Sequence, residues 1–177
     1  MELHQLQVIY QAEEDRLLYR ASFKTADGDL QEIRAWLTRR LVQRLWPSLI
    51  EVLETQVALD KPQAAHASAD IVGMEHHACV EKIRGCGSFD TPYTSGVHAY
   101  PLGEEPILMT TVNFVQHPNQ PIRINMTPQQ GQGFEIAFPL PVLHGFCSLL
   151  KDAVEKAEWQ IQLAMPGAQQ RTHQLLN

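Results

Sequence analysis

The stretch Leu30-Gln31-Glu32-Ile33-Arg34-Ala35-Trp36-Leu37-Thr38-Arg39-Arg40-Leu41-Val42-Gln43-Arg44-Leu45-Trp46 changes its apolar period part-way along. Up to Leu37 the residues Ile33, Ala35 and Leu37 recur at every second position, the period of a half-buried strand. Beyond it Leu41, Leu45, Leu49 and Val52 recur at three and four, with Val42, Trp46 and Leu53 widening the stripe, which is the period of an amphipathic helix. Thr38 sits at the switch. Its hydroxyl suits the N-cap, where it accepts a free backbone N–H of the first turn. Pro47 falls inside the helical pattern, removes a backbone donor, and is expected to kink or divide the helix there.

Toward the N-terminus, Asp27-Gly28 marks a tight turn, since both residues accept positive φ. Before it, Arg16 to Lys24 alternates as a second strand, Glu13-Glu14-Asp15 is a polar break, and residues 5–12 alternate as a first strand through Leu6, Val8 and Tyr10. Residues 1–55 thus read as three strands and a helix.

The same order returns in residues 105–164. Ile107 to Gln116, Ile122 to Thr127 and Gly133 to Leu140 are strand-like, separated by Pro118-Asn119-Gln120-Pro121 and by the turn at Gln129 to Gln132. A helix is then expected to about Leu163, on the stripe Leu143, Phe146, Leu150, Ala153 or Val154, Ala157 and Ile161, with Pro141 in a first turn that loses nothing by its missing N–H. Glu32-Ile33 aligns with Glu135-Ile136, and Leu37 with Leu140. The expectation is a single α+β domain over residues 1–177, built as two β-β-β-α halves related by pseudo-twofold repetition over one shared core. Between them, residues 56–104 are an irregular linker with one helix at about 68–84 and inward candidates Ile71, Met74, Ala78 and Ile83. A loose tail is expected over 165–177. This order of elements resembles the Whirly and PUR-type single-strand-binding folds, which also place strands before a helix, twice. The likeness is one of topology: those repeats carry four strands against three here, and none of their signature residues is matched.

Composition narrows the function classes. The chain has 177 residues, a net charge of −6 and 44% hydrophobic residues, which fits a globular protein and argues against a general nucleic-acid binder. No apolar run approaches the ~18 residues of a membrane span. Met1-Glu2-Leu3-His4-Gln5 lacks the basic, apolar opening of a signal peptide, and three cysteines, Cys79, Cys86 and Cys147, fit a reducing compartment, so a cytoplasmic protein is expected.

Four groups of residues are candidates for a site. Arg34, Arg39, Arg40 and Arg44 cluster near the start of the first helix beside Trp36; Arg forks bind phosphate or carboxylate, whereas pairing with Glu32, Asp29 or Glu51 would make them an ordinary solvated face. His66, His76, His77, Cys79, Cys86 and His98 carry zinc-type donors, but no Cys-x-x-Cys and no second ligand pair at a familiar spacing. Cys86, between Gly85 and Gly87 and after Arg84, is a possible nucleophile with no fixed base. Phe89, Pro92, Tyr93, Tyr100 and Pro101 form an aromatic, proline-bearing loop that either recognises a partner or plugs the gap between the halves. No phosphate loop, dinucleotide fingerprint, catalytic triad or paired catalytic carboxylate is visible, and no cofactor is expected. The reading is a non-enzymatic binding or adaptor protein, working as a homodimer with a protein partner or acidic ligand. Its site residues are Arg34, Trp36, Arg39, Arg40, Arg44, Phe89 and Tyr93. Single-stranded nucleic-acid binding, with Trp36, Tyr19 or Phe23 stacking on bases, is the first alternative. A metal protein or enzyme using His76, His77, Cys79 and Cys86 is the second.

Overall fold

A computed structural model describes residues 2–86, 92–93 and 96–167. The three-strand meander forms as its periodicity dictates: β1 is Glu2–Gln11, β2 Arg16–Lys24 and β3 Leu30–Thr38. Gly28 takes φ 90° in the β2–β3 turn, and this turn sets a register in which Arg20 faces Arg34 and Ser22 faces Glu32. Helix α1 (Arg39–Asp60) follows directly, capped by the Thr38 hydroxyl, which accepts from the Leu41 N–H at 3.2 Å. Pro47 does not divide it; the helix runs on, because its buried stripe from Leu41 to Val57 is seated on both sides of the proline.

A 3₁₀ turn over Pro62–Ala67 leads into α2 (Ser68–Gly85), the helix expected in the linker. The second meander comprises β4 (Ile107–Val115), β5 (Ile122–Pro128) and β6 (Phe134–Phe138), followed by α3 (Leu140–Lys156). Helix α3 ends at Lys156, about two turns before Leu163. Glu158 and Gln160 take φ of 52° and 56°, and the chain leaves the helix so that Trp159 and Leu163 enter the core as a strap. The Trp46 indole N–H donates to the Ala164 carbonyl at 3.1 Å and fixes this strap to α1. Residues 168–177 of the expected tail lie outside the described residues.

All six strands join one sheet in chain order, and β3 and β4 are parallel where Ala35 faces Ile107 and Trp36 faces Leu108. The two halves are therefore present, and β1, β2 and β3 correspond in order and direction to β4, β5 and β6. A parallel pair needs a long crossover, and α1, α2 and the linker supply it.

One face of the sheet carries the core. Leu17, Tyr19, Ala21, Phe23, Ile33, Ala35 and Leu37 of the first meander pack with Ile122, Ile124, Met126, Phe134, Ile136 and Phe138 of the second and with the apolar faces of α1 and α3. The sheet curls around α3: Tyr19 stacks on Phe134 at 6.1 Å and meets Phe146 of α3 edge-on at 5.9 Å. Tyr19 and Phe23 are thus core residues, buried to 0% and 7% exposure, and neither can stack on a base. Among the described residues no helix is long and apolar enough to cross a membrane.

Candidate functional site

The opposite, outer face of the first meander holds an arrangement that strand alternation forces. Arg20 and Arg34 stand directly opposite each other across β2 and β3, and like charges in that position repel. Glu32, two residues from Arg34 on the same side of β3, lies between them. The Arg20 guanidinium donates twice to its carboxylate at 3.2 Å, and Arg34 donates to the same Oε1. Glu32 is fully buried, while the two arginine side chains keep 19% and 25% of their exposure. Burial pushes the Glu32 carboxyl up; the hydrogen bonds from Arg20 and Arg34 overcome that and hold it below its ordinary value.

The linker covers this knot. Its residues 98–100 run beside the start of β3: the His98 N–H donates to the Leu30 carbonyl at 2.8 Å, and the Glu32 N–H to the Ala99 carbonyl at 3.1 Å. That places the Tyr100 ring 4.5 Å from the Arg34 guanidinium, which also donates to the Tyr100 hydroxyl at 2.9 Å and to the Glu104 carbonyl at 3.2 Å. Tyr93 lies 4.1 Å from the Arg20 guanidinium, and Gln5 donates to the Pro92 carbonyl at 3.2 Å. Tyr93 therefore covers the outer face of the first meander rather than the gap between halves. Phe89 lies outside the described residues.

The arginines expected to form one patch are consequently divided. Arg34 is held by Glu32, and its guanidinium is held above the ordinary value by that carboxylate against the opposing effect of burial. Arg39, Arg40 and Arg44 are exposed on the first turns of α1, and among the described residues none makes a hydrogen bond or ion pair through its side chain. Trp36, half-buried, stands on the outer face in a cross-strand row with Ile9, Leu18 and Leu108, the last 41% exposed. The row reaches Trp36, three residues before the first of the three exposed arginines in sequence.

The histidine and cysteine candidates do not converge. His66 and His98 are exposed, and His77 pairs with Glu81 at 3.0 Å. Cys86 is exposed, Cys79 is half-buried with its thiol pushed up by burial, and Cys147 is buried with its thiol pushed up to about 12. Among the described residues no group of three or more His, Cys, Asp or Glu side chains could hold a metal ion. His76 instead meets His144 of α3, a residue the sequence reading left inside an apolar helix.

Sequence reasoning missed Arg20 and His144, named Tyr100 only as a member of the aromatic loop, and treated Glu32 as a surface partner. The Asp27-Gly28 turn carried the signal for the first. It fixes the register, the register opposes two arginines, and two opposed arginines require an anion. No match to this chain was found among protein-family models, curated proteins or solved structures.

Proposed function

We propose that the chain is a non-enzymatic cytosolic binding or adaptor protein. Its partner is a protein that presents an acidic segment next to an apolar side chain. The binding surface is the exposed start of α1 together with the outer row ending at Trp36 and Leu108. One observation carries this reading: among the described residues the Arg39, Arg40 and Arg44 side chains make no hydrogen bond or ion pair, Arg39 acting on Asp15 only through space, on a chain of net charge −6, while Arg20 and Arg34 are both engaged. Unpaired guanidiniums beside apolar surface suit a carboxylate-bearing segment, because the Arg fork binds carboxylate with two donors and the apolar row supplies area. We further propose a homodimer joined through β1, whose ten residues have a strand neighbour on one side only, leaving an edge able to extend the sheet.

Fluorescence anisotropy over a salt series tests the ligand class, with a labelled polyglutamate peptide and a labelled single-stranded oligonucleotide as probes. The peptide is expected to bind at low salt, and the combined change Arg39→Ser, Arg40→Ser and Arg44→Ser to weaken it by about tenfold, or 1.4 kcal/mol. Tighter binding of the oligonucleotide, lost in the same variant, would replace this reading with the nucleic-acid one. Absence of both at low salt overturns it, since electrostatic affinity is greatest there. Size-exclusion chromatography tests the dimer, which a strictly monomeric protein contradicts.

A further inference from the structure

Of the three helices α2 is the most weakly seated. It buries only Val72 and Val80 of its 18 residues, whereas α1 and α3 bury nine residues each. Its contact with α3 depends on close approach: a Cβ added at Gly145 would stand 3.1 Å from Ile83 Cδ1. Nearby, the ring of His76 meets that of His144, centroids 5.4 Å apart and planes at 60°. His144 is 1% exposed, and neither of its nitrogens, nor His76 Nδ1, has a hydrogen-bond partner among the described residues. A neutral imidazole in such a place forgoes its hydrogen bonds; an imidazolium would in addition bury an uncompensated charge.

The surroundings of the pair oppose protonation. Lys151 of α3 and His77 and Arg84 of α2 act on His76, while Glu75 of α2, itself paired with Lys61 at 2.8 Å, favours a charge on His144. Asp70, Asp152 and Glu155 line the adjoining groove, and Ala164, Met165, Pro166 and Gly167 of the strap add no titratable side chain to it. Burial first, then the neighbouring positive charges, bring His76 down to about 4, and burial also lowers His144.

We propose that the His76–His144 contact is an acid-sensitive latch, whose protonation releases α2 from α3 while the sheet and α1 stay folded. A histidine whose pKa is lower in the closed state binds fewer protons closed than released. Closure is therefore complete above the free value of 6.5 and is lost as pH falls from there toward about 4. This inference is independent of the proposed ligand.

Amide hydrogen exchange of the full chain at about pH 7.5 and about pH 5, corrected for intrinsic rates, tests it. Protection in α2 is expected to fall about tenfold or more at the lower pH, with β2 and β3 unchanged. His144→Leu removes the buried nitrogens and should shrink the fall, and only the double variant His76→Gln with His144→Leu should leave α2 protection equal at the two pH values, because His76 is lowered first by its own burial. His76→Gln, at a partly exposed position, should shrink the fall and decides the matter if His144→Leu does not fold. Unchanged protection of wild-type α2, an equal fall in the folded variants, or a simultaneous loss across the whole sheet would overturn the latch.

Discussion

The two meanders place the same kinds of side chain on their outer faces with opposite results. In the first, Glu32 is sealed between Arg20 and Arg34, under Tyr93 and Tyr100. In the second, Arg123 and Glu135 pair at 3.6 Å with side chains 46% and 42% exposed, amid exposed Thr111 and Asn113 and half-buried Asn125 and Thr127. An ion pair in water is screened and worth about 0–1 kcal/mol. A buried one is weak evidence of net stability, yet removing one partner strands a charge and costs about 3–5 kcal/mol. Cover, not residue identity, decides which pair matters. The cover here is the linker that the parallel β3–β4 crossover makes necessary.

Breaking that comparison at its strongest point gives the largest effect. Glu32→Gln should lose about 3–5 kcal/mol in urea unfolding, and Glu135→Gln no more than about 1. The first variant should also flatten acid sensitivity. The Glu32 carboxyl is held low in the fold, so its contribution is present above its free value of 4.5 and is lost as pH falls through the lower folded value. Equal losses for the two variants would mean that cover plays no part. Next, Tyr100→Ala removes a cation–π contact and a hydroxyl acceptor from Arg34, an expected cost of about 1–2 kcal/mol read from the unfolding midpoint.

A smaller contrast separates the two major helices. Helix α1 is capped by the Thr38 hydroxyl, whereas α3 starts at Pro139 with no side-chain cap. Thr38→Ala should therefore cost about 1 kcal/mol. The smallest effect belongs to Tyr19→Phe: its hydroxyl is buried with no hydrogen-bond partner among the described residues, so its removal should leave stability unchanged or slightly raised by calorimetry. A loss above about 1 kcal/mol would show that the hydroxyl is satisfied.

Much of this architecture is legible along the chain because it is local. The change of apolar period at Thr38, the Asp27-Gly28 turn and the linker helix that runs Ser68–Gly85 each follow from neighbours in sequence. Other features depend on long-range placement. Ala157 and Ile161 continue the helical spacing of α3, and only the contacts that seat Trp159 on Tyr10 and Asp15 and tie Ala164 to Trp46 tell helix from strap. The parallel pairing of β3 with β4 depends on where a crossover lands. The basic cluster was legible as a composition, but its division depends on side: Arg34 alternates onto a covered sheet face, and Arg39, Arg40 and Arg44 point from a helix into water.

That division is the centre of the account, and urea unfolding of two variants beside wild type tests it most directly. Arg34→Gln should lose about 2–3 kcal/mol, because it leaves the buried Glu32 short of a donor. The combined Arg39→Ser, Arg40→Ser and Arg44→Ser protein should stay within about 1 kcal/mol of wild type. A stable Arg34→Gln protein, or a triple variant that unfolds as easily as Arg34→Gln is expected to, would contradict it.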